Sequence, residues 1–172
     1  MSGARRLLLA GGIALAFWGM GYGLWYAVFA EHQALEEIGA SLSTAFSGAA
    51  QRDVAQSAIA LLRYRESKYV YDRQVDVHSH WIGLAMVLIV LGLGFDKLPF
   101  SEKTQLWLAV AFLAGACVFP LGVLFQVHDR GPLPRILAIS GSALEIASLG
   151  VIALGLARRQ SSTPDPHRQP EA

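Results

Sequence analysis

The sequence predicts an all-α integral membrane protein: a four-helix bundle with a helical hairpin, extramembrane or interfacial, between its first and second membrane helices. Three observations predict it. Of 172 residues, 53% are hydrophobic and only 16% charged, with a mean hydropathy of +0.41. The apolar residues gather into four long runs, 7–30, 81–95, 106–127 and 136–157. A helix needs roughly 20 apolar residues to cross the hydrocarbon core, and three of the runs reach that alone. Nothing shows the alternation of a membrane barrel strand, and helices satisfy their own backbone groups in lipid.

The first span is expected over about 7–30. Arg5 and Arg6 precede it as a signal peptide's basic segment would. The run is too long for a signal core, however, and ends in Trp25, Tyr26 and Phe29 rather than in small residues. It reads as a retained helix with an aromatic belt. Gly12, Ala16, Gly19 and Gly23 line it, and such small residues let helix backbones approach closely. Gly12, Gly19 and Gly23 are therefore candidates for contact with a larger membrane complex or with further copies of the chain.

Residues 31–72 read as the hairpin. Leu35, Ile38, Leu42 and Phe46, then Val54, Ala58, Leu61 and Leu62, recur near helical spacing, and "SGAA" at 47–50 reads as the turn. The plain reading is a packing lid; the alternative is a docking surface. The second span is expected over about 75–96. Its apolar run is short, so the helix has to start near Val75, ahead of "VDVHSHWIG". The third and fourth spans are expected over 103–127 and 134–157. The bundle is one domain over 1–160, and the Pro-rich tail 161–172 is expected to be disordered.

Arg5 and Arg6 before the first span, Lys97 and Lys103 in the short connection between the second and third spans, and Arg158 and Arg159 after the fourth mark one side of the membrane. By the positive-inside rule that side is the cytoplasm, so both termini are expected there, in a bacterial inner membrane. The long first loop also carries basic residues, but long loops weigh less. A net charge of +1 gives no reason to expect nucleic acid. Cys117 is the single cysteine, inside the third span, and reads as a packing residue.

Glu145 is the sharpest single signal. It lies halfway along the fourth span, where a carboxylate costs roughly 2.5–3.5 kcal/mol on insertion scales. Ala138, Gly141, Ser142 and Ser148 share its face, and that polar, small stripe has to look inward. Folding the antiparallel spans on paper brings His80, Cys117 and Glu145 within about one helical turn in depth. His78 lies slightly nearer the outer surface, with His32 and His128 further out. Two residues apart, His78 and His80 cannot face the same way from a regular helix. Trp81 beside them reads as an interface anchor.

"HSHWIGLAMVLIVLG" resembles the H-x-H helix openings of small bacterial inner-membrane proteins related in style to haem–copper oxidases, where such a histidine binds b-type haem. The resemblance covers about fifteen residues of the chain. It implies His78 and His80 as haem or metal ligands.

Two functions are expected from these residues. One is a b-haem or transition-metal-binding subunit in electron transfer. Its cofactor site would be His78, His80 and Glu145 on the periplasmic side, and its metal ligands would be drawn from His80, His78 and His128. The other is a non-catalytic accessory or assembly subunit of a larger membrane complex, with Glu145 as a structural hydrogen-bonding group. A proton-coupled transporter ranks below both, since four helices are few and paired broken helices are not evident. No hydrolase or P-loop motif is present.

Overall fold

The structure is a computed structural model and describes residues 2–161. It consists of five α-helices: α1 (Gly3–Phe29), α2 (Glu31–Ala50), α3 (Val54–Gly94), α4 (Glu102–Phe125) and α5 (Pro132–Ser161), with a 3₁₀ turn at Phe95–Lys97. Four helices, α1, α3, α4 and α5, are long and apolar enough to cross a membrane. The chain is thus a multi-pass four-helix membrane bundle with a helical hairpin, as its composition predicts. The tail expected to be disordered lies outside the described residues, apart from Ser161, which ends α5.

The largest departure from the sequence reading is α3. The second arm of the hairpin and the second span form one unbroken helix of 41 residues. At 1.5 Å per residue it is about 60 Å long, twice the roughly 30 Å of hydrocarbon. No Pro or Gly interrupts the sequence from 54 to 82, so nothing stops a helix at Val75. α1 and α2 line up along α3, one against each half, with a break at Ala30. α4 packs on α1, α3 and, most extensively, α5.

The hairpin turn also falls later than expected. "SGAA" stays helical, and the reversal occupies residues 51–53. There the Asp53 N–H donates to the Gly48 carbonyl (2.8 Å) and the Arg52 N–H to that of Ala49 (3.1 Å), the paired bonds of a Schellman cap. Arg52 takes the left-handed conformation this cap needs, with φ 60°. The Asp53 carboxylate then caps α3 by accepting from the Gln56 N–H at 2.9 Å. Gly48 has a different task. A β-carbon there would lie 3.0 Å from the Ser57 nitrogen, so glycine sets how closely the arms approach.

The arms meet through small residues. Ser41, Ala45 and Gly48 of α2 are buried, as are Ala60 and Ser67 of α3, and the Ser57 hydroxyl donates to the Ala45 carbonyl at 3.1 Å. Of the apolar residues recurring at helical spacing, Leu35, Phe46, Val54, Leu61 and Leu62 are exposed, while Ile38 and Leu42 are half-buried. The residues fully buried between the arms are small.

Side-chain latches join the ends. Ser2 and Arg5 both bond Asp96, tying the start of α1 to the end of α3, with Arg5 Nη1 3.2 Å from the carboxylate. Gln105 is buried and its amide donates to the Leu98 and Phe100 carbonyls at 3.2 Å each, fixing the α3–α4 connection. At the other face Arg130, between α4 and α5, pairs with Glu66 and lies 4.2 Å from the Tyr69 ring centroid. The Glu66 hydrogen bond holds the Arg130 pKa above its usual value.

Candidate functional site

His78 and His80 do not open a helix; they lie well inside α3. The helix is regular there, so side chains two residues apart diverge by about 200°. His78 turns to α1, where its Nδ1–H donates to the Gly19 carbonyl at 2.9 Å. Its ring also lies against Gly23, so that a β-carbon at that position would collide with the imidazole. His80 turns the opposite way, to α4, and its ring stands 4.6 Å from that of Phe119 at 56°.

The three glycines expected at an intermolecular seam are engaged within the chain. A β-carbon at Gly12 would come 3.0 Å from the Ala85 carbonyl oxygen, and one at Gly19 3.0 Å from Trp81 Cβ. Together with Gly23 they bring α1 onto α3.

Trp81 is not an interface anchor. It is 1% exposed and takes two edge-on aromatic partners, Trp18 at 6.0 Å and Tyr22 at 5.0 Å between centroids. Gly19 makes room for it. The available signal was the aromatic set Trp18, Tyr22 and Trp25 beside Gly19 in the facing span. Cys117 lines an open apolar crevice of about 420 Å³ between α1 and α4, with Leu15, Trp18 and Trp81.

Glu145 faces inward with Ala138, Gly141 and Ser148, all buried. Its surroundings come from α4. A β-carbon at Gly115 would lie 2.8 Å from Glu145 Cγ and from the Gly141 carbonyl oxygen. Gly122 and Ala138 bring the two backbones together one step further along. The Glu145 Oε1 is buried and makes no hydrogen bond among the described residues. Ser148 does not serve it, since its hydroxyl donates to the Leu144 carbonyl at 2.8 Å. Nearby, Pro120 inside α4 has no N–H to offer the Ala116 carbonyl one turn back.

His80 and Glu145 thus reach α4 one turn apart, at Phe119 and Gly115, without forming an ion pair with each other. The remaining donors lie elsewhere. His32 is exposed on the hairpin and pairs with Glu36 at 3.0 Å. His128 is exposed in the α4–α5 connection. Among the described residues no group of three His, Cys, Asp or Glu gathers at one point. His78 and His80 point to different helices and do not face each other as a pair of imidazole ligands would. With its Nδ1–H given to a backbone carbonyl, His78 has Nε2 as its one ring nitrogen for a ligand.

Neither the sequence nor the fold shows a significant match to a family model, a curated protein or a solved structure.

Proposed function

We propose that the chain is a non-catalytic accessory or assembly subunit of a larger membrane complex, seated in a bacterial inner membrane with both termini in the cytoplasm. One observation carries this reading. The hairpin extends α3 beyond the length a bilayer covers and exposes Phe46 (69%), Val54 (79%) and Leu62 (64%). In the spans such residues meet lipid, but on a water-exposed hairpin an apolar surface marks an interaction site. Charge along the upper half of α3, from Arg63 to Asp76, supports placing it outside the hydrocarbon.

The orientation is supported by the grouping of basic residues. Arg5, Arg6, Lys97, Lys103 and Arg158 all belong to the end of the bundle opposite the hairpin. The hairpin is accordingly periplasmic. In this reading the histidines pack helices: His78 joins α3 to α1, and His80 joins it to α4.

The test is native electrophoresis of membranes carrying the chain or its Phe46→Glu, Leu62→Glu double variant. The expected result is a discrete complex larger than one chain that the variant loses while still inserting. A purified protein with bound haem or stoichiometric metal, removed by His80→Ala, would overturn the reading.

A further inference from the structure

We propose that Glu145 is a proton-binding site that clasps α5 to α4: the seam closes on the neutral carboxyl and opens when the proton leaves. The inference is independent of what the hairpin binds.

The site is one side chain in a seam with no slack. Glu145 is 6% exposed, and its Oε1 is buried without a hydrogen bond among the described residues. Its Cγ lies 2.8 Å from where a β-carbon of Gly115 would stand. One turn toward the hairpin the backbones themselves meet. A β-carbon at Gly141 would collide with the Phe119 backbone, and one at Gly122 with that of Ala138. Helices this close leave no cavity between them to hold a water.

No ionisable group answers a carboxylate there. On α4 the ionisable side chains are Glu102, Lys103 and Cys117. Glu102 and Lys103 stand at its start, with Lys103 about 18 Å along the helix from Gly115. Cys117 turns away, into the crevice between α4 and α1. On α5 itself Arg135 and Arg158 lie about 15 Å and 20 Å along the axis. On α3 the nearest ionisable residue is His80, which rests on Phe119 one turn toward the hairpin and forms no ion pair with Glu145. Ser148 gives its proton to the Leu144 carbonyl.

A buried carboxylate has to be paired, hydrogen-bonded or hydrated. In the closed seam it is none of these, whereas a neutral carboxyl costs far less to bury. The proton is therefore part of the closed seam. Ionisation has one outlet. Among the described helices α4 is the one on which α5 packs extensively, so α5 can part from α4 and admit water while α1, α3 and α4 stay together.

The sign follows from linkage. The closed chain holds one proton more than the open chain, whose carboxyl meets water. Raising the pH therefore favours opening, by up to tenfold in the opening equilibrium per pH unit for one proton. The gain ends where the closed chain itself ionises. Glu145→Gln keeps the shape of the neutral carboxyl and cannot ionise, so its seam should stay closed throughout.

The test uses the full chain in mild detergent, with its glutamate carboxyl carbons labelled with carbon-13. At neutral pH all but one of the glutamate signals should show the ionised shift. The exception, absent from Glu145→Gln, should show that of the neutral acid. Amide exchange along α5 is then compared between the native chain and Glu145→Gln at the same pH, which cancels base catalysis of exchange. The ratio should rise with pH by up to tenfold per unit and level off where the neutral carbon signal shifts to the ionised value. Amides in the α1–α3 seam should show no such ratio. An ionised Glu145 at neutral pH would overturn the proposal, as would α5 exchange with the same pH dependence in both chains. If Glu145→Gln does not fold, the native chain decides alone. One neutral signal that ionises where the pH dependence of α5 exchange changes slope upholds the clasp, and glutamates all ionised at neutral pH exclude it.

Discussion

The Nδ1–H of His78 donates to the carbonyl oxygen of Gly19 across 2.9 Å, reaching into the space that the absent side chain of Gly23 leaves. A histidine in a membrane helix thereby gains a backbone partner in place of water. Gly23→Ala should push the imidazole out and cost roughly 1–3 kcal/mol, as overpacking does. Equilibrium unfolding in mixed micelles measures this, and His78→Ala in the Gly23→Ala background should recover part of the loss.

His78 and His80 serve different contacts on opposite flanks of α3. Each alanine variant should cost about 1 kcal/mol, one through a hydrogen bond and the other through a ring contact. The double variant should equal the sum within about 0.5 kcal/mol, as independent sites do. Histidines sharing one ligand would depart from that sum, because the first loss would already empty the site.

The α4–α5 seam depends on glycine. A β-carbon at Gly122 or Gly141 would meet the backbone of the opposite helix, which cannot move aside as a side chain can. Either alanine variant should lower the thermal unfolding midpoint and make α5 separable by limited proteolysis. Glu145→Gln keeps the Cγ contact with Gly115 and should stay within about 0.5 kcal/mol of the native chain, the scatter of tolerated substitutions.

Arg52 occupies the left-handed position that glycine usually fills in a Schellman cap. Arg52→Gly should therefore stabilise the hairpin, by roughly 0.5–1 kcal/mol, since glycine adopts this conformation without a steric penalty. Slower amide exchange at Asp53 and at position 52, whose N–H groups close the turn, would register the gain.

Much of this architecture was legible in the sequence because membrane insertion writes itself in composition: four apolar runs gave four spans, and helical spacing gave a hairpin. The inward stripe of Glu145 was legible for the same reason, since a carboxylate has one tolerable direction. The continuous α3 was not, because the apolar run beginning at Trp81 marks where lipid starts, not where the helix starts. Burial of Trp81 depends on Gly19 and Tyr22, far away in sequence, and so does the pairing of His78. Arg130 with Glu66, and Ser2 with Asp96, are likewise set only by the packing of distant segments. Helical spacing showed the two arms but not the face on which they meet, because that face is built from Ser41, Ala45, Gly48 and Ala60, small residues that carry no hydrophobic signal.

The central claim is that the hairpin is an assembly surface. A photo-reactive residue placed at the exposed Phe46 in living cells tests it most directly, with one at the exposed, polar Gln33 as the control. The account predicts a discrete protein adduct from position 46 and none from position 33. Adducts to lipid alone at both positions, or no adduct at either, would contradict it.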